Sequence, residues 1–120
     1  MSTENQEKFI SYLDQRTEAV QADTARLIED HRSDEANFEK IRANIFQIIK
    51  TLFMAKQKLP ESEKETFMQS RLALFKETWN ASLVKAQTHD DQLRVQQELV
   101  KLEALEEIRN HYEQLQEVED

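Results

Sequence analysis

Positions spaced seven residues apart carry mostly apolar side chains through the first half of the chain. One set is Ile10, Thr17, Thr24, His31, Phe38, Ile45, Leu52 and Leu59, and its companion is Leu13, Val20, Leu27, Asp34, Ile41, Ile48 and Ala55. Spacings of three and four place both sets on one face of a helix that packs against other helices. Because no residue is inserted or deleted, the pattern predicts a helical segment over 3–58, about 80 Å long if it is unbroken.

A second helical segment is predicted over 63–117, after a turn at 58–62 that contains Pro60, the only proline. Its main apolar stripe comprises Met68, Leu72, Phe75, Trp79, Leu83, Ala86, Leu93, Val100, Ala104, Ile108, Leu115 and Val118. Val95, Leu99 and Leu102 lie nearly opposite that stripe. A helix with two apolar sides has neighbours on both. These three residues therefore form a predicted partner surface.

Capping patterns precede both segments. Thr3 and Gln6 have the T-x-x-Q spacing, and Ser62 and Glu65 have the S-x-x-E spacing of a capping box. These patterns predict helix starts at residue 3 and residue 63.

Each segment is interrupted by a polar run, at 31–35 in the first and at 88–90 in the second. Two architectures explain this pattern. In one, two long helices form an antiparallel hairpin that associates with another copy into a four-helix bundle or coiled-coil assembly. In the other, both helices break at the polar runs and give a compact up-down four-helix bundle monomer. We expect the long hairpin, because neither run contains glycine or proline and the heptad phase continues across the first.

A single domain of two helices has too little interior to be stable alone. We therefore expect residues 1–120 to form one all-helical domain that associates as a homodimer or a higher homo-oligomer. The bulky apolar residues near the turn are predicted to be both the core and the dimer contact. They are Phe38, Ile45, Phe46, Ile49, Phe53, Phe67, Leu72, Phe75 and Trp79.

The composition excludes several classes of enzyme. The 120 residues contain no glycine, which phosphate-binding loops, dinucleotide fingerprints and nucleophile elbows require. They contain no cysteine, which excludes disulfide scaffolds, cysteine nucleophiles and iron–sulfur ligation. We expect no catalytic residue and no cofactor.

Charge is unevenly distributed in a chain of net charge −8. Residues 1–37 carry 4 positive and 9 negative groups and residues 90–120 carry 3 and 10, whereas residues 38–59 carry 5 and 1. The acidic arms favour a basic protein partner over nucleic acid or an anionic membrane. The polar first residues do not resemble a secretory signal, and no apolar stretch approaches ~20 residues, so we expect a cytoplasmic protein.

A metal site is the alternative hypothesis. His31 and Asp34 in the first polar run could meet His89 and Asp90 in the second, and imidazole with carboxylate can bind zinc. The Glu-x-x-His pattern of di-iron bundles does not occur, because the residues three before His31, His89 and His111 are Ile28, Ala86 and Ile108. The sequence therefore favours a non-enzymatic protein–protein interaction module (adaptor, assembly factor, chaperone-like protein or regulator) that self-associates through its central hairpin. The alternative is a metal-binding helical bundle using His31 and His89.

Overall fold

The computed structural model describes residues 1–117, which form four helices; Val118 of the predicted main apolar stripe lies outside the described residues. The helices are α1 (Thr3–Glu29), α2 (Ser33–Lys56), α3 (Glu61–Thr88) and α4 (Gln92–Glu117). The prediction of an all-helical fold is confirmed, and the four helices pack together as a bundle. Of the two architectures that the sequence left open, the chain adopts four shorter helices rather than two unbroken long ones. Both breaks lie within or beside the polar runs.

The bend between α1 and α2 occupies only residues 30–32. The N–H of Arg32 donates to the Leu27 carbonyl (2.8 Å), the N–H of His31 donates to the Ile28 carbonyl (3.1 Å), and His31 has φ 60°. This pair of bonds around one left-handed residue is the Schellman ending of a helix. Arg32 then accepts the first backbone bond of α2, from Ala36. The chain thus reverses direction without a glycine.

The bend between α3 and α4 repeats this geometry. The N–H of Asp91 donates to the Ala86 carbonyl (2.9 Å), the N–H of Asp90 donates to the Gln87 carbonyl (3.2 Å), and Asp90 has φ 55°. Histidine and aspartate tolerate the left-handed region better than most residues with a side chain. The expectation that links without glycine disfavour a reversal was therefore wrong at both bends.

Helix α3 begins at Glu61, with Pro60 as its N-cap at φ −56°. Ser62 therefore lies inside the first turn, and the capping box predicted from it is not formed. The first helix is capped by Ser2, whose hydroxyl accepts from the Asn5 N–H at 3.1 Å, and not by Thr3. Helices α2 and α4 each pack against all three other helices, whereas α1 and α3 lie on opposite flanks and do not pack against each other.

The core lies toward the end of the molecule that contains the turn between α2 and α3. Its buried members are Phe9, Leu13, Val20, Ala43, Ile45, Phe46, Ile49, Phe53, Met68, Leu72, Ala104, Leu105, Ile108 and Tyr112. The Tyr112 ring centroid lies 5.2 Å from that of Phe9 and 6.3 Å from that of Phe53. Residues from all four helices therefore share one interior, and the described part spans 45 × 34 × 22 Å.

Candidate interaction surface

The residues predicted to form the core and the dimer contact divide into two groups. Ile45, Phe46, Ile49, Phe53 and Leu72 are at most 2% exposed within the single chain. Their core assignment agrees with the structure, but side chains buried this deeply have no surface left for a second copy. The remaining four, Phe38, Phe67, Phe75 and Trp79, are only half-buried.

Helix α3 contributes less to the core than any other helix. Only Met68, Leu72 and Ala86 among its residues are buried. Its apolar side chains are distributed around the helix, so that neighbours on one side cannot cover them. Phe75 and Trp79 stack with ring centroids 5.1 Å apart and pack partly against the core. Much of the apolar surface of α3 therefore remains exposed to solvent.

Exposed large apolar side chains are concentrated in α3 and the first half of α4. Leu74 is 49% exposed, Val84 60%, Leu93 60% and Leu99 41%. Only two others of this class occur among the described residues, Ile28 and Met54, and each lies in a different helix. We refer to the four exposed residues Leu74, Val84, Leu93 and Leu99 and the half-buried Phe67, all on α3 or the first half of α4, as the α3–α4 surface. Concentrations of apolar area on a protein surface mark contacts with partners.

The predicted partner surface on α4 belongs partly to this region. Leu99 is exposed, whereas Val95 and Leu102 are half-buried. The three residues are not equally available, and Leu99 is the most exposed of them. The sequence analysis did not name Leu74 or Val84, although helical spacing places both on the same side of the second segment as Val95 and Leu99.

A buried carboxylate lies beside Leu99. Glu98 is fully buried, and its Oε1 accepts from Arg94 Nε (3.0 Å) and Lys101 Nζ (3.1 Å). Its Oε2 is buried without a hydrogen-bond partner among the described residues. Spacings of four and three on a helix place both cations beside Glu98. The first half of α4 therefore buries a carboxylate paired with two partly exposed cations, whereas the second half buries mainly apolar side chains.

A polar cluster closes the contact between α1 and α4. Glu107 accepts from the Tyr12 hydroxyl and from Arg16 Nε and a terminal nitrogen (both 3.0 Å), and the His111 ring stacks on Tyr12 with centroids 3.8 Å apart. Burial opposes ionisation of Glu107, but the bonds from Arg16 and Tyr12 outweigh it, so the pKa of Glu107 lies below its usual value. Burial also lowers the pKa of His111, against the charge of Glu107.

This cluster was not predicted. The sequence showed Glu107 and His111 four residues apart on one helix, a pattern that usually indicates an exposed pair. Their partners Tyr12 and Arg16 lie more than ninety residues away in sequence. Only the antiparallel packing of α1 on α4 brings the four together.

A second polar cluster lies in the same half of α4, around Tyr112. Lys56 is 3% exposed, donates to the Tyr112 hydroxyl (2.6 Å), and lies over the Phe53 ring at 5.1 Å from its centroid. The Tyr112 hydroxyl donates to Glu65 (2.9 Å). The lysine therefore links α2 to α4, and through Tyr112 to α3.

The largest of the grooves found in the described part, about 420 Å³, lies between α1, α2 and α4. Its apolar lining is Leu27, Phe38 and Val100, and each arginine beside them is paired with an acid: Arg26 with Asp23, Arg32 with Glu35, and Arg42 with Glu39 and Glu103. These pairs neutralise the rim of the groove, so it offers no unpaired arginine with which to hold an anion.

The residues proposed for a metal site do not assemble one. Within residues 1–117, no group of three or more histidine, aspartate or glutamate side chains is arranged to hold an ion. His31 and Asp90 instead occupy the left-handed positions of the two bends, His89 precedes the second, and Asp34 lies in the first turn of α2. These polar residues therefore have a backbone role.

No helix in the described part of the chain has the length and apolar content needed to cross a membrane. Comparisons with models of protein families, with curated proteins and with solved structures found no match to this chain.

Proposed function

We propose that this protein is a non-enzymatic interaction module that self-associates through the α3–α4 surface. The observation that supports the proposal is the concentration of exposed Leu74, Val84, Leu93 and Leu99 on two adjacent helices. Burying such side chains stabilises an association by roughly 25 cal/mol per Å² of apolar area removed from water. The half-buried Phe67, on the same least buried helix, adds an aromatic contact.

The charge of this region favours a second copy as the occupant. Residues 67–99 carry four positive groups and four negative groups. In a two-fold dimer the same patch meets itself, so a net charge on the patch would be repulsive. The balanced charge of residues 67–99 avoids that repulsion, whereas residues 1–37, with 4 positive and 9 negative groups, would repel their own copy.

The acidic parts of the molecule then remain available to another partner. Residues 1–37 carry a net charge of −5, and residues 100–120, with 2 positive and 7 negative groups, also carry −5, so the two stretches together exceed in magnitude the net charge of −8 of the whole chain. Such a surface attracts a basic protein and increases its association rate at low salt. We include a basic partner in the proposal for this reason.

Paired variants test the surface. Leu74→Glu and Leu99→Glu each place a charge in the α3–α4 surface, and we expect both to reduce a species of twice the 14.3 kDa chain mass to a monomer. Sedimentation equilibrium over a range of concentrations measures the mass. Ile28→Glu and Met54→Glu are matched controls, because both residues are 50% exposed but lie on α1 and α2.

The controls must retain the mass of the unmodified protein. A wild-type chain that stays at 14.3 kDa at every concentration would contradict self-association through this surface. Equal weakening of the dimer by Met54→Glu and Leu99→Glu would contradict the location of the contact. Circular dichroism checks that each variant retains its helical content.

A further inference from the structure

The bend between α1 and α2 is held by very few interactions. His31, Arg32, Ser33 and Asp34 are all exposed, so no side chain of the bend is anchored in the core. Arg32, the N-cap of α2, makes no capping bond with its side chain. His31 has φ 60°, a conformation that costs free energy for any residue with a β-carbon.

The corresponding bend between α3 and α4 is better anchored. The Asp91 carboxylate accepts from the backbone N–H of Arg94 (3.1 Å) and so caps α4, and the Asp90 carboxylate accepts from the Gln92 side chain (2.9 Å). The first bend has no counterpart of the capping bond that Asp91 makes. Straightening the chain therefore costs less free energy at the first bend than at the second.

The sequence across the first bend is compatible with a continuous helix. The heptad set that contains Thr24, His31 and Phe38 continues through it without an insertion, and neither glycine nor proline interrupts it. If residues 30–32 became helical, α1 and α2 would form one helix from Thr3 to Lys56, about 80 Å long.

The register between α1 and α2 is preserved when two straightened copies pair. Gln47 donates to Thr17 (2.8 Å) and Lys50 donates to Asp14 (2.7 Å), and the residue numbers of both pairs add up to 64. In two antiparallel straight helices with a two-fold axis at residue 32, each residue meets the same partner as in the bent chain, but on the other copy. The pairing of residues along the two helix axes is therefore the same in both arrangements.

We propose that two copies of this chain exchange α1 by straightening the first bend, so that α1 of each copy packs on α2 of the other. Short, strained hinge segments favour this kind of exchange. The exchanged dimer keeps the α1–α2 contacts and releases the left-handed conformation of His31. It forms slowly, because α1 must first leave the core that it shares with α2 and α4.

Exchange of α1 does not depend on the α3–α4 surface, and either can fail without the other. The test therefore uses a chain that carries Leu74→Glu and Leu99→Glu, in which association through that surface is removed. The protein contains no cysteine, so Asp14→Cys and Lys50→Cys introduce one reactive thiol on each side of a contact between α1 and α2.

The chain that carries the two glutamate and the two cysteine substitutions is incubated under reducing conditions, at high concentration and moderately raised temperature. It is then diluted, and monomers are separated from dimers by size. After the reductant is removed, the dimer fraction is joined with a short bifunctional maleimide and analysed in denaturant. Exchange predicts covalently linked dimers, because the thiol introduced at position 14 of one chain then faces the thiol introduced at position 50 of the other. Chains with only one of the two cysteine substitutions are the matched control and must give unlinked chains.

Two variants at the bend provide the second measurement. Glycine at position 31 adopts the left-handed conformation without a free-energy cost and disfavours the helix. Alanine at position 31 is unfavourable in the left-handed conformation and favours the helix. We expect the dissociation constant of the dimer to be about a hundredfold lower for His31→Ala than for His31→Gly. Each dimer contains two straightened segments, and each segment contributes about tenfold.

The same variants define the outcomes that overturn the inference. Cross-links confined to single chains within a dimer fraction would show association without exchange. A His31→Ala chain that stays monomeric after prolonged incubation would also overturn it, as would equal dissociation constants for His31→Ala and His31→Gly.

Discussion

The two helical hairpins of this molecule have similar lengths and nearly identical bends, but they differ in how they bury apolar side chains. Helices α1 and α2 bury six and seven residues, and their contact is continuous with the shared core. Helix α3 buries three, and between residues 92 and 103 of α4 only Glu98 is buried. Helix formation and chain reversal therefore do not by themselves produce a core. The order of apolar residues around each helix decides which hairpin is packed and which presents a surface.

The largest expected effect is the difference in unfolding free energy between losing a buried ring of the first hairpin and losing a half-buried ring of the second. Phe46→Ala removes a fully buried ring, and we expect the free energy of unfolding to fall by about 3–5 kcal/mol. Phe75→Ala removes a half-buried ring on α3, for which we expect a loss of roughly 1 kcal/mol. Urea denaturation followed by circular dichroism measures both. Similar losses for the two variants would contradict the difference in packing between the hairpins.

The two acidic residues of α4 give the next comparison. Glu107→Gln weakens three hydrogen bonds at the contact with α1, and we expect a loss of about 1–2 kcal/mol. Glu98→Met should change stability by less than about 0.5 kcal/mol or increase it, because Glu98 Oε2 has no partner among the described residues and Arg94 and Lys101 can reach water. A larger loss for Glu98→Met than for Glu107→Gln would show that the buried ion pair stabilises the second hairpin.

The dependence of the Glu107 effect on pH sharpens that test. The folded-state pKa of Glu107 lies below its unfolded value of 4.5, so its contribution is fully present above that pH and is lost as the pH falls through the folded value. The difference in unfolding free energy between wild type and Glu107→Gln should therefore be constant near neutral pH and shrink below 4.5. A difference that grows in acid would contradict the assigned bonds.

The smallest expected effect distinguishes the two bends. Asp91→Ala removes the cap of α4 and should cost about 1 kcal/mol. Arg32→Asp supplies the corresponding cap to α2, and we expect a gain of about 0.5 kcal/mol after the loss of its exposed pair with Glu35. Thermal unfolding at low protein concentration measures both changes. A loss of stability in Arg32→Asp would show that the backbone N–H groups at the start of α2 do not need a side-chain cap.

The sequence predicted the helical class and the turn at Pro60, because apolar periodicity and proline act over a few residues. It located the two polar runs where the helices break, but the prediction of helices that continue through them was wrong. It did not predict which polar residues would carry the bends, because His31 and Asp90 adopt the left-handed conformation that is usually occupied by glycine. The Ser62 capping box was wrong because Pro60 is itself the N-cap and the helix begins at Glu61, before the serine.

The candidate surface was only partly predictable. Leu99 could be identified from its place opposite the main stripe, but Leu74 and Val84 are exposed because α3 packs mainly on α4 and only lightly on α2. That arrangement depends on contacts between residues far apart in the chain. The cluster of Tyr12, Arg16 and Glu107 has the same origin.

The contact of Tyr112 with Phe9 and Phe53 has a consequence for how the protein is made. The chain emerges from the ribosome with its N-terminus first, so α1 and α2 emerge well before the part of α4 that covers them. During most of translation, Phe9, Phe46 and Phe53 have only part of their final surroundings. Until α4 is available, these rings are exposed to aggregation, so the hairpin that is better packed in the folded protein is the more vulnerable one during synthesis.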